Sequence, residues 1–499
     1  MSKAKKASPV AQPSSRYRFF CWAVAFLSLS QLVVGLDYIT LWAGAESQLV
    51  WDSQTTSPAF SPLLGILGSI PIDSEFWLVA YRLPSFFFAL LGIAFFYVWG
   101  AALFGKQAVQ VTLLAAAATF LLPLLAKSGA LDSWRFGLEI ATWIALMRFM
   151  KTPNRSWLIW VAALGSLAAL IGQWATVVMF LIWQVSYYRL VNPQNETLKK
   201  ELAKPFVIIF LVFGLSLIAG LIAGGSTSHR PYLYFDFLQL GHLKFFFYGL
   251  LGLSPFIGFT LAGLRDLFYK LKRGEELAVL IAVGLFGSLI TLSLVFPFLL
   301  IFLTAKQLDL YFRAENYPWQ NWVKTTQVLH LIVVFIVVVL ALLGGFFQFQ
   351  TDGFRALLGC SFAYWMFSFV GVIGLYGFRR DYVLGGMTLA GLLALLFFWI
   401  QVYPFFHIQR NWPERTATEI QKLAQTPEVV YISAEETLSL PAAPYLLRNG
   451  IAAQVLDSIP AETFHLRLME PADSLLQPAI KVAGWSWLPP GEVWIGEEK

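Results

Sequence analysis

Cysteine is nearly absent from this chain: two in 499 residues, Cys21 and Cys360, each inside an apolar run. Two thiols so placed exclude a disulfide framework. Charge is scarce as well, since Asp, Glu, Lys and Arg make up only 13% of the residues, against about a quarter in soluble domains. Histidine is rarer still: the five His of the sequence are too few and too scattered for a histidine metal cage. No P-loop, HExxH, CxxC or GxSxG motif occurs, so the common nucleotide, zinc-hydrolase, redox and serine-hydrolase signatures are excluded. One stretch, 37–75, lacks Lys and Arg altogether while holding five acids: Asp37, Glu46, Asp52, Asp73 and Glu75.

What fills the space is apolar. Hydrophobic residues make up 58% of the chain, with 45 Phe and 19 Trp, and the mean hydropathy is +0.66. That composition is the mark of a polytopic membrane protein, with aromatic side chains for lipid-facing surfaces and interfacial belts. The formal charge of +6 comes largely from basic residues flanking apolar runs. Membrane topology accounts for them, and no nucleic-acid partner is implied.

Apolar windows of roughly 17–25 residues predict spans near 17–36, 80–101, 107–126, 131–149, 156–171, 173–189 and 205–224. Further ones fall near 243–263, 276–294, 295–312, 326–347, 354–376 and 382–404, thirteen in total. The regions 156–189 and 276–312 each read either as one long helix or as two short ones. Residues 1–16 form a basic tail, and the run behind it reads as an uncleaved signal anchor. Basic groups at Arg148/Lys151/Arg155, Arg189/Lys199/Lys200/Lys204, Arg265/Lys270/Lys272/Arg273, Arg313/Lys324 and Arg379/Arg380 then all fall on one side. The positive-inside rule makes that side cytoplasmic. The acidic loop 37–75 and the tail 405–499 come out on the other face of a cytoplasmic (inner) membrane.

Past Pro404 the polar content becomes ordinary. Thr416–Gln425 has a helical pattern, and Pro444–Asn449 followed by Gly450 reads as a helix with a glycine stop. Val429–Ser433, Phe464–Leu468, Ile480–Ala483 and Val493–Ile495 read as strands. The expected architecture is therefore an all-α membrane domain over 17–404 and a small extracytoplasmic α/β domain over 405–499.

Ionisable residues near spans are functional candidates, because lipid makes them expensive. On the outer side these include Asp37, Glu46, Arg82, Lys127, Asp132, Arg135, His229, Arg230 and His242. Asp132 and Arg135 lie one helical turn apart, so a structural ion pair between them stands beside a functional role. Lys127 precedes them and can face an anionic ligand. For His229, Arg230 and His242 an interfacial snorkelling role competes with phosphate contact.

The segments Leu41-Trp42-Ala43-Gly44-Ala45-Glu46-Ser47, Ser61-Pro62-Leu63, Arg82-Leu83-Pro84-Ser85 and Leu131-Asp132-Ser133 come in a telling order. With Gly252-Leu253-Ser254-Pro255-Phe256, this order resembles the polytopic glycosyltransferases that use polyprenyl-phosphate sugars. These are the GT-C superfamily of aminoarabinose transferases and protein O-mannosyltransferases, and the resemblance covers most of the chain. It implies a GT-C-like fold, a polyprenyl-phosphate lipid donor, and transfer of a sugar to an acceptor at the outer face. It also places Asp132 at the second acidic position of the family and Arg82 at its arginine in the next span.

The departures fall in the first outer loop. The family's Asp-Glu pair reads Ala45-Glu46 here, an Arg two positions on is Gln48, and the Lys before the loop proline is Ser61. Transfer needs a base for the acceptor hydroxyl and positive charge for the departing phosphate. Glu46 or Asp37, with Asp132, is left for the first task. Arg82, Lys127, Arg135, His229 and Arg230 are left for the second, with a carboxylate-held Mg²⁺ the metal alternative. Two other readings stand beside the enzyme. One is a non-catalytic GT-C subunit that binds lipid or a protein partner, which Ala45 favours. The other is a transporter of lipid-linked substrates, against which few charges lie within the spans and no matched pair of broken helices is evident.

Overall fold

In a computed structural model of the chain the apolar runs form helices, as they must where lipid offers the backbone no partners. The structure describes residues 20, 22–28, 30, 77–119, 121, 131–190, 196–222, 240–313, 316–405, 412–422, 427–433, 442–456, 464–469, 476–483 and 492–498. The first helices are α1 (Trp77–Phe104), α2 (Lys106–Ala117), α3 (Leu131–Lys151), α4 (Arg155–Leu190) and α5 (Glu196–Ile222). Then follow α6 (Leu240–Leu251), α7 (Ile257–Lys272), α8 (Glu276–Ile290), α9 (Val295–Arg313), α10 (Gln320–Tyr376) and α11 (Arg380–Phe397). Among the described residues five helices are long and apolar enough to cross a membrane, or six if a pair bent by 70° at 252–253 is one span. The chain is a multi-pass membrane protein.

Two of these helices are not straight rods. The 57 residues of α10 break at Gln350, whose φ of 53° and ψ of −139° are non-helical. Phe335 packs on Trp365 with ring centroids 5.6 Å apart, and His330 lies edge-on to Tyr364 at 6.3 Å. These pairs bracket Gln350 symmetrically, so α10 is an antiparallel hairpin. Gly345 and Gly353 meet where its two arms are closest, a Cβ on Gly345 falling 3.1 Å from the Gly353 carbonyl oxygen.

A straight α4 of 36 residues would be about 54 Å long. Yet the charge of Arg155, at its start, acts on Glu201 just beyond its end. Ile209 also occupies the place a Cβ on Gly165 would take. α4 therefore doubles back within its length, so the 156–189 region is two arms rather than one rod.

The helix ends sort by charge. Lys151 reaches the Leu103 carbonyl at 3.4 Å, and Asp309 takes Arg313 at 3.0 Å and Arg380 at 3.1 Å. Arg265 stacks over Trp319 at 4.3 Å and Lys324 over Phe378 at 4.8 Å. These contacts define a basic end of the bundle. At the opposite, far end Trp77 meets Tyr445 edge-on at 5.5 Å.

Tyr445 belongs to a C-terminal unit built from α12 (Trp412–Gln421), β1 (Val429–Ser433), α13 (Ala443–Arg448), β2 (Ala452–Leu456), β3 (Phe464–Met469), β4 (Leu476–Ala483) and β5 (Glu492–Glu498). The sheet order is β2-β1-β3-β5-β4. β1 runs parallel to β2 and β3, and β5 antiparallel to β3 and β4. Val430, Ile432 and Leu466 are buried at its centre. Gly450, at φ 75°, ends α13 in the left-handed conformation that glycine adopts without strain. β2 is a strand the sequence did not flag, since Ala452, Ala453 and Gln454 carry little strand preference.

Candidate functional site

α1 and α3 cross at two glycines. A Cβ on Gly92 would lie 2.7 Å from the Gly137 Cα, so nothing larger fits either position without separating the helices. This close crossing aligns a row of polar groups between it and the far end. Trp134 Nε1 donates to Ser85 Oγ at 2.8 Å, and the Trp134 ring stacks on Phe88 with centroids 5.6 Å apart. Arg82 lies one turn beyond Ser85 and is fully buried.

The densest polar cluster centres on Glu139, which is 0% exposed. Its Oε1 accepts from Arg135 Nε at 3.1 Å and from Thr176 Oγ1 at 2.6 Å. Its Oε2 accepts from Ser293 Oγ in a short bond. Arg135 Nη2 also donates to the Thr291 carbonyl at 3.1 Å, and His242 Nε2 lies 3.0 Å from the Ile290 carbonyl. One carboxylate thus ties α3 to the second arm of α4 and to the turn between α8 and α9.

The local sequence explains the arrangement. α8 has 15 residues, about 22 Å, and falls short of a hydrocarbon core about 30 Å thick. The turn at 291–294 is thereby recessed into the bundle, where unpaired helix-end carbonyls would be costly. Two basic side chains answer them, at the negative pole of the α8 dipole. Ser293 caps the next helix, its Oγ accepting from Val295 N at 3.2 Å.

Taking a carboxylate and a guanidinium out of water costs several kcal/mol per ion before their attraction repays it. A pair kept at that cost in a lipid-embedded bundle is a candidate for a functional site. With three donors on it, Glu139 is an anchor rather than a base. Arg135 is held in this cluster by Glu139 and the Thr291 carbonyl, and Arg82 is buried on α1 toward the far end.

The sequence-derived candidates divide accordingly. Arg82 and Arg135 are both buried, Arg135 in the cluster around Glu139 and Arg82 on α1. Asp132 sits in the first turn of α3, on the far-end side of Arg135, with its side chain outside the described residues. Asp37, Glu46, Lys127, His229 and Arg230, and the first loop as a whole, lie outside the described residues. Among the described residues no three His, Cys, Asp or Glu side chains gather as a metal site would require. Sequence reasoning missed Glu139, Thr176 and Ser293. The signal for Glu139 was an acid inside a predicted span, four residues after an arginine, on the same helical face.

No family model matches the chain, and no curated protein matches it either. Solved structures do. The fold is similar to that of solved ArnT structures. The crystal structure of ArnT from Cupriavidus metallidurans in the apo state superposes with a TM-score of 0.60 at 15% identity, covering 88% of this chain and 86% of that one. The same protein bound to undecaprenyl phosphate gives 0.57 at 16% identity, covering 87% and 85%. At such identity the likeness is one of fold.

Proposed function

We propose that the chain is a membrane glycosyltransferase that moves a sugar from a polyprenyl-phosphate donor to an acceptor at the far end of its bundle. The carrying observation is the buried Arg135–Glu139 pair toward that end of a fold similar to that of ArnT, with Arg82 also buried on α1. An ArnT structure of this fold holds undecaprenyl phosphate, which supports a lipid phosphate as the partner here. In this reading there are thirteen spans, the N-terminus and basic end are cytoplasmic, and 405–499 lie outside, above the sugar-transfer site.

Chemically, the prenyl tail stays in lipid while its phosphate approaches the cations. Arg82 and Arg135 stabilise the charge that develops on the departing phosphate, with Lys127, His229 and Arg230 adding to it from the loops. Glu46 is the base for the acceptor hydroxyl, with Asp37 as its companion and Asp132 at the second acidic position. A divalent cation, if one is used, would be held by these carboxylates.

The test is transfer from a polyprenyl-phosphate sugar by the full-length protein in nanodiscs. Glu46→Gln should lower the rate by roughly 10²–10⁴, the scale of general base catalysis, with lipid-phosphate binding retained. Unchanged transfer in both Glu46→Gln and Asp37→Asn would refute the assignment. Ala45, where the family places an Asp, favours a second reading: a non-catalytic GT-C subunit that binds the lipid or a protein partner. Binding without any transfer by the native chain would select it.

A further inference from the structure

Beside the Arg135–Glu139 cluster one polar atom is left over. His242 stands in the first turn of α6, with its Nε2 3.0 Å from the Ile290 carbonyl. A carbonyl only accepts, so Nε2 carries the proton and Nδ1 of the neutral ring keeps a lone pair. That Nδ1 is buried and, among the described residues, has no hydrogen-bond partner. The ring cannot turn to satisfy it without giving up the Ile290 carbonyl, a helix-end group that itself needs a donor.

A buried acceptor left unpaired calls for an explanation: strain, an ordered water or a ligand. The surroundings favour a ligand. Both hydroxyls of the neighbouring cluster, Thr176 and Ser293, spend their protons on Glu139, so neither can serve Nδ1. The next carbonyl, Thr291, takes Arg135 Nη2 at 3.1 Å, so the imidazole and the guanidinium close one helix end from α6 and α3. What Nδ1 lacks is a donor, which a phosphate oxygen is not. A sugar hydroxyl is one, and it can accept in turn from the first-turn N–H groups of α6, which no carbonyl within that helix satisfies.

We propose that His242 is a specificity-determining residue whose Nδ1 takes a hydrogen bond from a hydroxyl of the donor's sugar. This rests on the glycosyl-transfer reading, in which Arg135 meets the lipid phosphate. The sugar is joined directly to that phosphate, so its hydroxyls are the nearest donors at hand.

Two amide variants separate the two ring nitrogens. His242→Gln puts an amide N–H at the Nε2 position, which keeps the Ile290 bond and removes the acceptor. His242→Asn puts an amide oxygen near the Nδ1 position and loses the Ile290 bond. The full-length protein in nanodiscs is titrated with undecaprenyl phosphate and with the same lipid carrying glucose, mannose or arabinose. The native chain should bind one sugar-bearing lipid several-fold tighter than the bare one. His242→Gln should bind that lipid about tenfold more weakly, the scale of one hydrogen bond, with bare-lipid binding and melting temperature unchanged. His242→Asn should melt several degrees lower yet keep the sugar preference. A preference that survives in His242→Gln, or an equal weakening of both lipids, would overturn the role of His242 alone. A native chain that prefers no sugar-bearing lipid would overturn the transfer reading, and this role with it. Should His242→Gln fail to fold, His242→Asn decides, since loss of the sugar preference there contradicts an acceptor at Nδ1.

Discussion

Glu139 shows how much one side chain can hold in a lipid-embedded bundle. Its carboxylate accepts from Arg135, Thr176 and Ser293, three residues on three different segments, with no exposure to solvent. Glu139→Ala would remove an ion-pair partner from the buried Arg135 guanidinium, a loss of about 3–5 kcal/mol for breaking one half of a buried pair. A melting temperature lowered by several degrees in detergent is the expected outcome. The double change Arg135→Met with Glu139→Leu should recover part of it, because apolar pairs of similar volume often replace buried ion pairs without loss. A single variant that melts like the native chain would show that the pair is not stabilising.

Elements here are shaped by where the chain turns rather than by helix propensity. The α10 hairpin reverses at Gln350, in a region of φ/ψ space that glycine enters freely and a residue with a Cβ does not. Its neighbours Gly345 and Gly353 let the two arms touch directly below the turn. Gln350→Gly relieves a strain of about 1–3 kcal/mol while adding chain entropy of about 0.5–1 kcal/mol to the unfolded state. A net gain in stability of about 1 kcal/mol follows from that difference. Thermal unfolding of the purified variant should show it as a rise of a few degrees. A fall would mean that the side chain of Gln350 contributes more than its backbone costs. At the α1–α3 crossing the opposite holds, since Gly92 and Gly137 are so close that added side chains must push the helices apart.

At the scale of the whole molecule the two ends of the bundle divide the labour. Lys151, Arg265, Arg313, Lys324 and Arg380 collect at one end through ion pairs, a carbonyl and aromatic faces. The C-terminal unit meets the other end through Trp77 and Tyr445. The positive-inside rule predicts that the basic end is the cytoplasmic one. A reporter that works only outside the cytoplasm should therefore be active when fused after Lys499 and silent when fused between Lys272 and Glu276. The reverse pattern would invert the topology and place the proposed transfer site on the cytoplasmic face.

The sequence by itself determined that this chain lives in a membrane, since hydrophobic content and scarce charge leave no other solvent for it. It also located most helices and four of the five strands, because those signals are local: apolar length, alternation, a glycine stop. Arg82 and Arg135 were legible as candidates by the same local logic, as ionisable residues next to lipid. The tertiary structure alone decided their company. Arg135 stood one turn from Asp132 in the sequence, but its described bonds run to Glu139 and to the Thr291 carbonyl, 156 residues away. Thr176 and Ser293 carried no sequence signal, because a hydroxyl in an apolar helix or a turn reads as neutral until folding sets it against a buried charge. The recessed 291–294 turn was equally hidden: its depth depends on how α8 and α9 pack among their neighbours, and no window of sequence contains those neighbours.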